Sequence, residues 1–260
     1  MKANSGGQPT VIKKGIRTFN FIKNFQANTE SKYLFFIDKS SAQKISFNCR
    51  LGSKAKVEIV LYGCSETKSI SGKFCLEKYG QLSVYIILAK YNDFFVEQKV
   101  VLAGDYAEAK LNMVLVGAGD SNGTFYNNIL HKSPHAFSRL NIRRLQFNSS
   151  ESRSQAILKI AKRAVKSDTY LSDKILLVDE DTKASSQPVL EILTNDVKAS
   201  HSASCGYLSP KEINYLRSRG LDKKQAESLI LQGFATELLP QNNIIRDWLN
   251  DKIINYARHK

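Results

Sequence analysis

Three runs between residues 81 and 119, QLSVYIILAK (81–90), FFVEQKVVLAG (94–104) and KLNMVLVGAG (110–119), decide the fold. Each is short and rich in β-branched and aromatic residues, and each breaks at Gly, Asn or Asp, the composition of strands separated by turns. The same style extends outward in KVEIVLYG (56–63), SRLNIRRLQF (138–147), SQAILKIAK (154–162), KILLVDED (174–181) and PVLEIL (188–193). From about Val11 to Ile192 no segment sustains a helical period over three turns. So many strands with so few helices leave a sandwich, a barrel or a parallel β-helix. The number of strands favours the solenoid, although no strict repeat period is visible. In a solenoid no coil buries its inner face alone, so stacked coils share one core and the ends need capping.

The character changes at Ser209. SPKE (209–212) reads as a capping box, with Ser209 as N-cap, Pro210 at the first helical position and Glu212 placed to reach back. That helix ends at Gly220. A second starts at Asp222 with Gln225 at N3 and carries Leu229, Ile230 and Phe234 on one face; a third carries Ile244, Ile245, Trp248, Leu249 and Ile253. The chain thus divides into a β-helix body, residues 1–208 with about the first ten disordered, and a helical subdomain, residues 209–260, expected to close the end of the body. Its apolar faces exceed what one small bundle absorbs, and the surplus suits a partner protein.

The 260 residues carry a formal net charge of +14. No signal-peptide core opens the chain, and the longest apolar run, Val84–Ala89, is far short of a membrane span, so the expected setting is cytoplasmic with no membrane partner. Cys49, Cys64, Cys75 and Cys205 form no CxxC pair, which signals neither a zinc ribbon nor a disulfide framework; mostly buried, reduced thiols are expected. Between His131 and Lys166, nine Lys and Arg residues face one acid, Glu151. That stripe offers an alternative function, a basic β-solenoid binding nucleic acid or another partner, against the plainer reading of solvated edges.

Motifs for chemistry are few. No GxxxxGK[ST] loop is present, so no nucleotide is expected on this chain. VGAGDSNG (116–123) has its third glycine one residue late for a dinucleotide fingerprint and reads as a turn. His131 and His135 are four apart, but Pro134 between them opposes the helix that would pair them as ligands, leaving structural or surface roles. NDVKASHSASCGYLSPKEINYLRSRGL (195–221) holds His201 and Cys205, an imidazole and a thiol suited to iron or zinc. The pair admits three readings: half of a metal site completed by a second chain, a nucleophile pair, or ordinary structure at the end of the β-body.

The residues from Gln187 to Phe234 carry a resemblance. Pro188, Leu190, Glu191, Ile192, Asp196, Val197, Lys198, His201, Ala203 and Gly206, then Tyr215, Ser218, Arg219 and Gly220, then Ala226, Gly233 and Phe234, are similar to the C-terminal signature of the SufB/SufD family, scaffolds of SUF iron–sulfur cluster assembly. HKSPHAFSRLNIRR (131–144) and ILLVDEDTKASSQP (175–188) resemble the body of the family, so the likeness runs from about Leu130 to Leu239. The helical N-terminal region of longer members is expected to be absent or reduced.

The resemblance implies a right-handed parallel β-helix with C-terminal helices, a member that is not an enzyme, and a transient iron–sulfur cluster at a subunit interface. It implies pairing through the β-helix with a SufB-like subunit or a second copy, and docking of a SufC-like ATPase on the helices, with Tyr215, Arg219, Leu229, Ile230 and Phe234 as partner-binding residues. On the motif, His201 falls on the SufD-type interface histidine, whereas the SufB-type cysteine position is Ile192; the likeness is closer to SufD. Cys205, where the family usually has an aliphatic residue or threonine, is the weaker ligand candidate. The segment EILTNDVKASH is expected to be the strand presenting His201, and SASCG (202–206) the turn out of the β-body.

Overall fold

A computed structural model describes residues 10–12, 18–37, 44–65 and 68–258. The disorder expected for about the first ten residues concerns positions outside these. In chain order the strands are β1 (Thr10–Ile12), β2 (Thr18–Phe25), β3 (Glu30–Ile37), β4 (Lys44–Leu51) and β5 (Lys56–Ser65). Then come β6 (Ser69–Leu76), β7 (Gln81–Tyr91), β8 (Phe94–Leu102), β9 (Glu108–Gly117) and β10 (Asn122–His131). The last are β11 (Phe137–Gln146), β12 (Glu151–Ile160), β13 (Asp168–Leu177), β14 (Lys183–Ile192) and β15 (Lys198–Tyr207). All odd strands form one sheet, β1-β3-β5-β7-β9-β11-β13-β15, and all even strands a second, β14-β12-β10-β8-β6-β4-β2. Neighbouring strands in both sheets run parallel, as in β11 with β13 and β10 with β12. This is the parallel β-helix that the strand count favoured.

The repeat is irregular, which is why no period is visible in the sequence. Lys56, Gln81, Glu108, Phe137 and Asp168 stand in one column of the odd sheet. A coil is therefore 25 residues from Lys56 to Gln81 but 31 from Phe137 to Asp168. Most of the difference in coil length falls at corners; one extra residue, Lys90, bulges from β7 where its pairing with β5 shifts between Cys64 and Ser65. One corner keeps a fixed geometry: Asn28, Lys54, Tyr79, Tyr106, His135 and Lys166 all adopt left-handed backbone with φ between 56° and 59°. Their amides bond to the next coil, for example Tyr79 N–H to the Asp105 carbonyl at 2.9 Å and His135 N–H to Val165 at 2.9 Å. The rings of Tyr79, Tyr106 and His135 stack there, with centroids 5.1 and 4.5 Å apart. Gly104 is needed at the same corner because a Cβ would lie 2.1 Å from the Lys78 nitrogen.

Alternation along each strand sends one row inward and one outward. The interior changes along the axis: Phe21, Tyr33, Phe35 and Phe47 interlock in the first coils, aliphatic side chains fill the middle, and the last coils hold Ser152, Ser154, Arg144 and Asp173. At the ends of β5, β7, β9 and β11 the alternation lapses into continuous burial, because the outward residues are covered too. The cover is the helical segment: α1 (Pro210–Ser218), α2 (Lys223–Thr236) and α3 (Asn243–Arg258). Leu231, Ala235, Ile245, Leu249 and Ile253 pack on outward-facing Val60, Tyr62, Ile87, Val114, Val116 and Leu145. Each fully buried Leu or Ile there contributes roughly 1.5–3 kcal/mol.

This corrects the expectation that the helices close the end of the β-body. They run back along its side, far enough that Trp248 meets Tyr62 edge-on at 5.6 Å. The reason lies in the apolar tails of VEIVLYG, VYIILA and NMVLVG, which would be exposed on the outer face without them. Ser209 caps α1 by accepting from Glu212 N–H, Gly220 at φ 96° ends it, and the reciprocal capping box forms at Asp222 and Gln225 rather than at Ser209 and Glu212. Among the described residues no helix is long and apolar enough to cross a membrane.

Candidate functional site

With the helices on its side, the C-terminal end of the β-helix is uncovered. β15 is the edge of the odd sheet and β14 the edge of the even one. Along β15 the register sets His201 against Leu171, Ala203 against Asp173 and Cys205 against Ile175, all inward-facing positions of β13. His201, Ala203 and Cys205 thus continue the interior rows of the β-helix into the last coil, where no further coil covers them, and all three are exposed. Ile192 and Leu193 are exposed at the same end.

Two expectations about this stretch are corrected. SASCG is strand, not a turn, since β15 runs on to Tyr207. EILTNDVKASH is not one strand: β14 ends at Ile192, residues 193–197 turn the corner, and β15 starts at Lys198. The strand geometry also separates the two candidate ligands. Residues four apart on a strand stand about 13 Å apart, beyond the combined reach of an imidazole and a thiol on one ion. Each therefore faces the open end singly, and among the described residues no group of three or more His, Cys, Asp or Glu gathers as a metal site. Partial burial raises the Cys205 thiol pKa, with the Arg144 charge opposing and the Asp173 charge adding.

One rung below lies a buried polar node that sequence reasoning missed. Arg144 and Asp173 are 0% and 1% exposed and form a bidentate pair, Nε to Oδ1 at 3.2 Å and Nη2 to Oδ2 at 2.7 Å. Arg144 also donates to the carbonyl and hydroxyl of Ser152 and to the Ser185 carbonyl. Asp173 Oδ2 accepts from the hydroxyls of Ser154 at 2.6 Å and Ser186 at 2.7 Å. The node ties β11 and β13 to β12 and β14, joining both sheets beneath the open end. Its signal was available: in LNIRRLQ and YLSDKIL a charge occupies a position that alternation assigns to the interior.

The other histidine candidates are structural. His131 is buried, with Nε2 2.8 Å from the Ser138 hydroxyl, which lies 2.6 Å from Thr169 Oγ1. Burial pulls its pKa down from 6.5 to about 4, offset in part by the Ala136 backbone and Asp168. The glycine-rich VGAGDSNG is the turn between β9 and β10, pinned by the Ser121 hydroxyl on the Ala118 carbonyl at 2.6 Å. Cys49 is buried, its pKa pushed up to about 12 by desolvation, whereas Cys64 and Cys75 are half-buried and Cys205 is exposed, so burial holds for fewer thiols than expected.

Five of the nine basic residues of the stripe are held in ion pairs, while Lys132, Lys162, Arg163 and Lys166 stay exposed. Arg139 pairs with Asp168, Arg144 with Asp173, Lys159 with Glu191 and Arg153 with Glu151. Arg143, buried, is held by Glu237 of the helical segment at 2.8 Å. Four of these acids come from outside 131–166, most of them one coil on.

The partner-binding candidates converge. Tyr215, Leu229, Ile230 and Phe234 line one groove of about 770 Å³ between α1, α2 and the end of the β-helix, with Leu176 and Tyr207. The Arg219 guanidinium lies over the Tyr215 ring at 5.4 Å. Tyr215 is 59% and Leu229 51% exposed.

Residues 23–234 match the family described as SUF system FeS cluster assembly, SufBD core domain. The iron–sulfur cluster assembly protein SufD of Bacillus subtilis (strain 168) is 30% identical over 142 residues, 55% of this chain and 32% of that protein. The protein of the same description from Escherichia coli (strain K12) is 37% identical over 82 residues, 32% of this chain and 19% of that one. The matched stretches thus span a third or less of these relatives.

Proposed function

The chain belongs to the SufBD core family of the SUF iron–sulfur cluster assembly system, and from that membership we propose that it is a SufD-like scaffold subunit rather than an enzyme. Its end strands β14 and β15 receive the matching end of a SufB-like subunit or of a second copy, and the cluster is the cargo assembled across that junction. The observation that carries this reading is the uncovered inward row of β15: His201 stands on a rigid strand, facing where a second subunit would continue the β-helix. An imidazole there is a competent iron ligand. Pairing two open ends also satisfies the unpaired backbone groups of both edges, which otherwise invite aggregation.

In this reading Cys205 is a secondary ligand at most, acting on a different metal from His201. The domain division follows the two jobs: the β-helix body to residue 208 pairs and holds the cluster, and residues 209–260 dock a SufC-like ATPase. The groove containing Tyr215, Leu229, Ile230 and Phe234, with Arg219 at its rim, is the proposed docking site; ATP is bound and hydrolysed by that partner. The nucleic-acid alternative is the weaker reading because five of the nine basic residues of its stripe are already held in ion pairs within the chain.

The test is His201→Ala in the full chain, coexpressed with its SufB-like and SufC-like partners. Unchanged thermal stability and unchanged copurification with loss of cluster, read by absorbance and iron content, support the assignment. Normal cluster yield rejects His201 as ligand. Failure of either partner to copurify with the unsubstituted chain rejects the scaffold arrangement itself.

A further inference from the structure

Two charges stand where local rules oppose them, and each is explained by the other. Glu237 is the C-cap of α2, the end at which the helix dipole disfavours an acid, and no base occupies the last turn of that helix. Arg143 points outward from β11, buried beneath the helical segment, with Lys174 beside it in the register. It donates from Nε at 3.0 Å and from Nη2 at 2.8 Å to Glu237 Oε2, and its guanidinium lies 5.7 Å from the centre of the Phe234 ring. The apolar contacts of α2 and α3 with the sheet are non-directional. This doubled, charge-assisted contact is directional, and it fixes where α2 ends against β11.

The next residue, Arg144, points inward. The two arginines thus grip consecutive residues of β13 on opposite faces of one sheet: Arg143 Nη1 donates to the Ser172 hydroxyl at 3.4 Å, and Arg144 Nη2 to the Asp173 carboxylate at 2.7 Å. Ser172 and Asp173 pair with Ser202 and Ala203 of β15, the two residues that follow His201. Asp173 also accepts from Ser186 on β14, so both edge strands of the open end are tied to one place. Resting on the reading of that end as the cluster junction, we propose that Arg143 and Arg144 are positioning residues: the hold of Glu237 on Arg143 sets the placement of β13, and through it of β14 and β15. Movement of the helical segment thereby changes how His201 and Cys205 face a second subunit.

The test uses the full chain alone and reads the iodoacetamide labelling rate of Cys205, at the far end of this route, by peptide mass spectrometry. Glu237→Gln, at a half-exposed site, is expected to raise that rate at least about twofold, the low end of couplings between separated sites. Glu227→Gln, which breaks the pair with Lys223 inside α2, is expected to leave it unchanged. In an Asp173→Asn background Glu237→Gln is expected to add nothing, because the route is already cut; a pair that only stabilised the helical segment would act equally in both backgrounds. A Glu237→Gln rate no higher than wild type, or one matched by Glu227→Gln, overturns the proposal. An equal increase in both backgrounds removes Arg144 and Asp173 from the route and overturns it as well. Should Asp173→Asn not fold, Arg144→Met with Asp173→Leu supplies the background. No cluster or partner takes part in these measurements, so their failure leaves the scaffold reading to its own test with His201→Ala.

Discussion

Asp173→Ala removes one side of a dry ion pair and leaves the other in place. In the native chain the carboxylate accepts two bonds from Arg144 and one each from Ser154 and Ser186. Truncation strands two guanidinium N–H groups and two hydroxyls in a site where Arg144 is wholly buried. Losing one partner of a buried pair costs about 3–5 kcal/mol, because the remaining charge keeps its desolvation penalty. For a chain of this size that lowers Tm by roughly 6–20 °C. Arg144→Met with Asp173→Leu removes both charges and leaves only the Ser154 and Ser186 hydroxyls without their acceptor, so the double variant is expected to be more stable than Asp173→Ala alone. Urea denaturation at neutral pH measures both, through the midpoint at constant slope. A loss below about 1 kcal/mol for Asp173→Ala means that water reaches the node and that the last coils are not packed as described.

His131 is neutral and buried with its pKa lowered from 6.5 to about 4. The unfolded chain therefore binds the extra proton first, so stability is fully present above pH 6.5 and declines as pH falls toward 4, by about 3 kcal/mol from this group; His131→Gln should flatten a urea-midpoint profile in that window. Leu249→Ala, at a fully buried contact between α3 and the sheet, is expected to cost about 2–5 kcal/mol, and to expose the helical segment to limited proteolysis before the β-helix. Cys205 is exposed yet has a raised pKa, so iodoacetamide at pH 7.5 should label it more slowly than an unstructured peptide thiol; equal rates contradict its environment at the end of the β-helix.

Strands and their solenoid arrangement were legible because alternation, β-branching and turn residues are local properties, and so were the caps at Ser209, Asp222 and Gly220. The stretch around His201 was only half legible. Its residues marked a signature, but ASHSASCGY is small and polar enough to pass for a loop, and its strand character comes from pairing along β13. That pairing is what holds His201 and Cys205 apart.

The amino-acid sequence by itself determined that this is a chain of short strands followed by capped amphipathic helices, carrying the SufB/SufD signature. Which residues meet was decided only by the tertiary structure, because a coil of 25 to 31 residues brings together side chains that no local pattern links. Arg144 finds Asp173 a coil away, and Arg143 finds Glu237 across the helical segment. Five of the nine positive charges in the row from Lys132 to Lys166 thereby enter ion pairs. The apolar ends of β5, β7 and β9 draw the helices to the side of the body, and that leaves the last strand bare.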